Sequence, residues 1–385
     1  MNKILTYTYR IYPNKSQIDK IEHNFKCARE VYNHLLSARI VEYERYKKNA
    51  IKFEKVGKKL DLTKFNKSAN LPSIPSIKNK YPYLKEADSL ALCAEWGNLN
   101  RAFSNFYSKR CKFPRYKKRN DKNTYITSCV NNNIRIQNNK LKLPKIGYIK
   151  IKLHRPLPKD YRIKRVIVRG DKCGRYYVAI VIKFPLNEVK KKAFGKIVGL
   201  DFKIGEVFVS SEAQTPEYNK PYRNNLEELR GLEKKLSEKR KFSKNWWKHI
   251  GKIRESHKKV VFKRKDFLHK LSFQIKNEYD TVVIESLSLE DISQKLSTGM
   301  NVYDTSYRSF VNMLKYKMEG ENIVEIDKWF PSSKMCSCCK SIKKELDLSE
   351  RIYSCNYCGN IIDRDLNAAI NIRNEGERLI KNIKK

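Results

Sequence analysis

Two sets of residues in this 385-residue chain have types and spacings that could do chemistry. The first is a cysteine cluster. Cys336-Ser337-Cys338-Cys339 and Cys355-Asn356-Tyr357-Cys358-Gly359 give two C-x-x-C pairs separated by the fifteen residues 340–354. That is the spacing of a tetrahedral four-cysteine zinc site, in which each turn places two thiolates on one side of the ion. Gly359 suits a knuckle that needs a permissive backbone, whereas Lys340, in the matching place after the first pair, makes that turn less ideal. Cys338 lies between two proposed ligands and is a possible substitute for Cys339. A four-thiolate site is closed, so zinc here is structural and the chemistry lies beside it.

The second set is carboxylates. Lys196-Ile197-Val198-Gly199-Leu200-Asp201 and Thr281-Val282-Val283-Ile284-Glu285 are apolar runs that end on an acid, and Asp365 stands at the expected start of the last helix. Neighbouring strand ends lie about 5 Å apart, so such acids can converge. A converged trio repels itself unless divalent cations neutralise it. Mg2+ takes oxygen ligands, and two ions about 4 Å apart can activate a water and stabilise a leaving oxygen in phosphodiester hydrolysis. Spacing does not separate Asp363 from Asp365. Asp327 also ends a strand and reads as a plain surface residue ahead of an acid that supports the trio from behind. His269, on a basic helix, reads as a packing or phosphate contact.

The whole chain carries 83 Lys plus Arg against 41 Asp plus Glu, a formal charge of +42, with 40% hydrophobic residues. A polyanion that neutralises this excess is the expected partner; nucleic acid comes first, and an anionic membrane is the alternative. No apolar run approaches the roughly 18 residues of a spanning helix, and the start of the chain lacks a signal peptide's apolar block. Of ten cysteines, five lie in the zinc stretch and five are scattered, a reducing, intracellular pattern.

These groups need elements to hold them. Residues 3–12 alternate as a strand. Ser16 opens a helix that runs toward Lys48, 60–83 with Pro72, Pro75 and Pro82 read as a loop, and Asp88 caps a helix through Leu92, Leu99 and Phe103. Next comes a run of cations and aromatics: Lys109, Arg110, Lys112, Phe113, Arg115, Tyr116, Lys117, Lys118 and Arg119. Such a run can pair with phosphates and stack on bases. From Tyr125 to Phe184 the period becomes two, over 125–130, 133–137, 140–143, 147–153, 162–169 and 175–184, which suggests a small β-barrel that the first strand could join. Residues 187–195 read as a linker. Asp201's strand and 206–211 form a hairpin, 224–277 is helical with a break near Ser243, 304–319 is a helix, and 323–327 is a further strand.

Several of these motifs occur together and in order: Gly199-Leu200-Asp201, Asp266-Phe267-Leu268-His269-Lys270-Leu271-Ser272, Val283-Ile284-Glu285-Ser286-Leu287, Phe330-Pro331-Ser332-Ser333-Lys334-Met335-Cys336, the cysteine pairs, and Asp363-Arg364-Asp365-Leu366-Asn367-Ala368-Ala369. In this set the chain resembles TnpB, the accessory protein of small insertion sequences, which is similar to the compact type V CRISPR effectors. The resemblance implies an α+β multidomain protein. Residues 1–12 and 121–185 would form a split β-barrel wedge domain, with 13–120 as a helical recognition insertion. Residues 186–335 and 359–385 would form an RNase H-like RuvC α/β nuclease domain, with 336–358 as its zinc ribbon.

It further implies Asp201, Glu285 and Asp365 as catalytic magnesium ligands, Asp365 being chosen over Asp363 because the family's third acid lies two residues before the Asn of Asn-Ala-Ala. Cys336, Cys339, Cys355 and Cys358 would bind one zinc ion. The implied activity is RNA-guided cleavage of double-stranded DNA in a prokaryotic cytosol, at the nucleoid, by a monomer with no membrane partner. Lys203 departs from the family, at a place where glycine is frequent. A nuclease-dead RNA-guided repressor, which would lack an acid, and an RNase H-fold transposase are the competing readings.

Overall fold

The computed structural model describes residues 2–54, 71–119, 123–185, 194–203, 206–286, 306–318, 322–347 and 350–383. Most of the linker expected at 187–195, the segment 60–70 of the expected loop, and Leu287 of the glutamate motif lie outside them. The chain divides into two compact units, Met1–Glu188 and Val189–Lys385.

In the first unit β1 (Asn2–Tyr12) enters α1 (Lys15–Glu54), then α2 (Ile74–Lys80) and α3 (Ser89–Tyr107). Six strands follow: β2 (Thr124–Ser128), β3 (Arg135–Gln137), β4 (Lys140–Leu143), β5 (Gly147–Lys152), β6 (Arg162–Gly170) and β7 (Tyr176–Pro185). All seven form one antiparallel sheet in the order β2-β6-β7-β1-β5-β4-β3. The first strand therefore does join the later ones, between β7 and β5. Among the described residues the two end strands, β2 and β3, are not paired with each other.

Alternation decides the packing. Tyr7, Tyr9, Ile11, Ile149, Ile151, Val178 and Ile180 point into a core that Ile21 and Phe25 of α1 help to close, while Lys150 and Lys152 stay exposed. Asn138 and Asn139, both at positive φ, make the two-residue turn from β3 to β4, a geometry for which asparagine is suited. The loop expected at 60–83 is corrected where it is described, because 74–80 is helix. Ser73 caps it through a bond from the Ser76 amide, and Pro75 stands in the first turn, where no intrahelical N–H is needed. Asp88 caps α3 by accepting the Leu90 amide at 3.0 Å.

The second unit is built on a four-stranded sheet ordered β11-β10-β8-β9: β8 (Ile197–Phe202), β9 (Phe208–Ser210), β10 (Thr281–Glu285) and β11 (Ile323–Ile326). β8, β10 and β11 run parallel, and β9 returns antiparallel to β8 as the expected hairpin. Between β9 and β10 come α4 (Pro221–Asn224), α5 (Leu226–Ser237) and the 35-residue α6 (Lys244–Glu278); α7 (Tyr307–Lys317) links β10 to β11. A small hairpin, β12 (Ile352–Ser354) and β13 (Ile361–Asp363), leads directly into α8 (Arg364–Ile383).

Period two sorts the side chains of this sheet into two layers. Val198, Leu200, Val282 and Ile284 pack with Leu268, Leu271 and Ile275 of α6 and with Phe310 and Leu314 of α7. Val283, one register position off, packs with Ile326 and with Ile372 of α8. Gly199 shares that second face: a Cβ there would overlap the Ala369 carbonyl, so the α8 backbone lies directly on β8. Gly376 gives the same closeness from the helix side, against Val283.

Candidate active site and metal centre

The acid site follows from this packing. Ile284 stands opposite Leu200 in the parallel ladder, so Asp201 and Glu285, each one residue on, end neighbouring strands side by side. Asp201 lies two residues beyond Gly199 and therefore on the α8 face. Asp365 lies one helical turn before Ala369, the residue that touches Gly199. The approach at Gly199 thus brings Asp365 to the end of the sheet where Asp201 and Glu285 stand. These residues, up to 164 positions apart in sequence (365 − 201), face one another electrostatically.

Burial is the first reason that Asp201 is held well above the ordinary carboxylate range, and the charges of Glu285 and then Asp365 add to it against Arg364 and the Phe202 amide. Burial likewise raises Glu285 to about 7, opposed by a hydrogen bond with Ser332. The phenol of Tyr307 is raised by burial and then by Asp201, Glu285 and Glu325. Carboxylates gathered in this way, with Asp201 in the field of Glu285 and Asp365, suit a hard cation that takes oxygen ligands.

Asp363 and Asp365 have different tasks. The Asp363 carboxylate accepts the Leu366 amide at 2.9 Å and so caps α8. Asp365 instead reaches the ammonium of Lys203, with Nζ to Oδ2 at 3.6 Å. Lys203 also contacts Glu206 at 3.2 Å. Burial works against its charge, but Glu206, then Asp365 and Asp363, outweigh that and raise its pKa. The sequence showed this lysine only as a departure; the fold puts its cation next to the third acid.

Beside this site the four cysteines come together as expected. Among the described residues, Cys336, Cys339, Cys355 and Cys358 form a group whose ligand atoms all lie within 4.8 Å of one another. Two sulfur pairs lie 3.7 Å (Cys336 and Cys358) and 3.5 Å (Cys339 and Cys355) apart. Four thiolates at 2.3 Å from a tetrahedral zinc would stand about 3.8 Å from one another. The residues fit the ion.

The two knuckles are near copies. The Lys340 amide bonds Cys336 O and the Gly359 amide bonds Cys355 O, each at 3.0 Å, while Cys336 N donates to Ser341 O and Cys355 N to Asn360 O, each at 2.8 Å. Lys340 adopts φ 66° and Gly359 φ 72°, so the lysine takes the left-handed turn that glycine takes in its twin. Ser341 Oγ lies 3.1 Å from the sulfur of Cys339 and 3.3 Å from that of Cys355. This hydroxyl first, then the amides of Cys358 and Tyr357, hold Cys355 down to about 5. Cys338 is exposed and stands outside the group.

Two asparagines on α8 clamp the knuckle to the acid site. Asn367 accepts the Ser337 amide at 2.8 Å and donates to Met335 O at 2.7 Å. Asn371 donates to Ser332 O at 2.9 Å and to Met335 O at 2.6 Å. Both are buried. Sequence reasoning gave them no role, although their spacing of four on the helix that carries Asp365 in its first turn was the available signal. His269 is exposed on α6; its ring Nδ1 lies 3.4 Å from Tyr316 Oη, and its carbonyl accepts the Lys317 ammonium at 2.6 Å.

The basic run of the first unit is mixed. Lys109, Arg110, Lys112, Arg115, Tyr116, Lys118 and Arg119 are exposed. Lys117 is turned inward: its ammonium bonds buried Glu95 at 2.6 Å and lies 4.0 Å from the centre of the Tyr32 ring, while its backbone exchanges two bonds with Asn33. Its charge is thereby neutralised within the helical layer. Phe113 packs on Tyr43, Phe103 and Phe106 and anchors the run.

Comparison with known proteins places the chain. Residues 180–296 match the family model described as a probable transposase (OrfB of IS605), residues 1–48 its helix-turn-helix domain, and residues 307–372 the Cas12f1-like TNB domain. Despite that description, residues 2–48 here are one strand and one helix. A Streptomyces pristinaespiralis protein, named "Putative RNA-guided DNA endonuclease", is 31% identical over 369 residues, 95% of this chain and 88% of the relative. The chain belongs to the TnpB family. A second TnpB-family relative, the Escherichia coli (strain K12) protein InsQ of the same name, is 27% identical over 77% of each chain. A TnpB-like protein, L79 of Acanthamoeba polyphaga mimivirus, is 33% identical over 134 residues, 32% of this chain and 25% of that one. A cryo-EM structure of a Cas12f1-sgRNA-target DNA complex aligns over 97% of this chain and 98% of that one at 15% identity, with a TM-score of 0.48. Among the described residues no helix is long and apolar enough to cross a membrane.

Proposed function

We propose that this TnpB-family chain is an RNA-guided DNA endonuclease, and that Asp201, Glu285 and Asp365 are its catalytic carboxylates. The observation that carries the site is the ladder register that ends β8 and β10 on Asp201 and Glu285, with α8 laid across Gly199 so that Asp365 meets them. The names of relatives matched over most of their length support the activity. In the same reading, the first unit comprises the wedge and its helical recognition insertion. The second is a RuvC nuclease domain of RNase H type carrying a zinc ribbon, and its three parallel strands plus one antiparallel return accord with that core.

The three carboxylates would hold magnesium, which when bound supplies an activated water and neutralises charge on the leaving oxygen of a phosphodiester. What the chain does is fix the oxygens. β8 and β10 set two of them side by side, α8 brings the third, and burial keeps the potential undiluted by water. Zinc held by the four cysteines would keep the segment before α8 in place. The excess of cations, including Lys109, Arg110, Lys112, Arg115, Lys118 and Arg119, would hold guide RNA and target DNA by their phosphates. The protein would work in the cytosol, as a monomer.

RNA recovered with the purified full chain, sequenced and then used to design a matched duplex, tests this reading. Mg2+-dependent cutting of that duplex is expected. Binding of the duplex without cutting would leave the repressor reading standing. Cutting that needs no RNA would favour a transposase, as the family model's description suggests.

A further inference from the structure

The turn between α5 and α6 carries a feature that neither the acids nor the cysteines use. Phe242 holds φ 65°, in the left-handed region that bulky side chains rarely adopt, and the residue is 74% exposed. Ser243 then caps α6 by accepting the Trp246 amide at 3.1 Å, which places Trp246 and Trp247 in the first turn. The three rings touch one another. Centroids lie 5.4 Å apart for Phe242 and Trp246, 4.7 Å for Trp246 and Trp247, and 6.3 Å for Phe242 and Trp247. Trp247 is 50% exposed. Folding gains nothing from leaving two large rings in water on a strained turn, so a ligand is the better explanation.

The surroundings identify the ligand's chemistry. Residues 234–248 hold seven Lys or Arg and one acid, Glu238. Burial first, then the charges of Lys239, Lys252 and Lys235 against that of Glu238, hold His249 below its ordinary value. Flat apolar faces ringed by cations complement unpaired nucleotides, whose bases stack and whose phosphates pair. Duplex DNA keeps its bases stacked on one another, whereas loops and bulges of folded RNA present theirs unstacked.

We propose that Phe242, Trp246 and Trp247 form a stacking platform for unpaired bases of the RNA this protein carries, with Arg240, Lys241, Lys244 and Lys248 on the flanking phosphates. The proposal rests on the RNA-guided reading and adds where, on the nuclease unit, an RNA segment is held. Stacking and ion pairing differ in salt dependence. Loss of a ring lowers affinity at every salt concentration, while loss of a cation also flattens the salt slope.

The test is fluorescence anisotropy across a salt series, with the full chain and three probes of about 20 nucleotides: oligouridylate, oligothymidylate and duplex DNA. Phe242→Ala with Trp247→Ala is expected to weaken oligouridylate binding about 10–100-fold with the slope unchanged. Lys244→Ala with Lys248→Ala is expected to reduce the oligouridylate slope by about 1.4. Phe242→Gly, which suits the left-handed backbone, is expected to raise the melting temperature and still weaken oligouridylate binding, and this separates a lost contact from a damaged fold. Unchanged oligouridylate affinity in the ring variants overturns the platform. So does an equal loss on duplex DNA, a larger loss on oligothymidylate, or a change only in the oligomeric state. A wild-type chain that retains no RNA and binds no oligouridylate overturns the RNA-guided reading itself, a result distinct from failure of the platform.

Discussion

The cysteine centre and the carboxylate centre are neighbours built on opposite principles. The first is made by two short turns of near-identical backbone, each of which positions its own pair of sulfurs. The second has no local unit at all. Asp201 depends on β8, Glu285 on β10, and Asp365 on a helix that must lie flat against Gly199. A centre held by its own turns is closed and durable, while one assembled by the whole fold is open to a ligand and sensitive to distant changes.

The largest test of that contrast removes the local centre. Cys355→Ser should lower zinc content from one equivalent to near zero by elemental analysis and unfold the ribbon, since a structural zinc contributes on the order of 10 kcal/mol to such units. DNA cutting should disappear with it, because the ribbon leads into α8. Cutting retained in a zinc-free variant would break the proposed dependence. Next in size, Asp201→Ala should cut cleavage by more than the roughly 10–100-fold that loss of a group supporting a metal ligand brings, with zinc content and RNA binding unchanged. An undiminished rate would refute the site.

Smaller changes sharpen the comparison. Gly199→Ala must push α8 off β8. It should lower stability by about 1–3 kcal/mol in thermal melts and reduce cleavage, while the cysteine turns still load zinc. Asn371→Ala takes its donor from the buried carbonyl of Ser332 and leaves Met335 O with Asn367 alone. It should lower stability by about 1–3 kcal/mol, with cleavage falling less than for Asp201→Ala.

The smallest effect concerns pH. Glu285 is raised from 4.5 to about 7 in the fold. In chelator the folded state therefore binds the extra proton, and this stabilisation is complete below pH 4.5 and lost as pH rises through about 7. Glu285→Gln should melt higher than the parent at pH 8 and no differently at pH 4. A difference of the same size at both would show that charge is not the cause.

What the sequence made legible follows the same division. The C-x-x-C pairs could be read directly, because their chemistry depends on residues three apart and a turn. Even there Lys340 looked unfavourable, since local propensity does not show that the knuckle's hydrogen bonds hold a lysine at positive φ. The strand periods were legible as well, and Asp201 and Glu285 could be named as strand-ending acids, but their adjacency depends on ladder register, which no single strand encodes. Asp363 and Asp365 could not be distinguished by spacing, because a helix cap and an inward carboxylate differ in direction. The proline-rich stretch reads as a loop when proline counts only as a breaker, yet Pro75 in a first turn, behind a serine cap, permits a helix. Lys117 could not be told from its basic neighbours, since its partner, Glu95, lies 22 positions away on another element.

No residue intervenes between β13, which ends at Asp363, and α8, which begins at Arg364. The hairpin and the helix are thus one rigid lever, with thiolates at one end and the Asp365 carboxylate near its fulcrum. Whatever loosens the sulfur grip, whether a chelator, an oxidant or an alkylating agent, would swing that carboxylate out of line without touching either strand that carries its two companions.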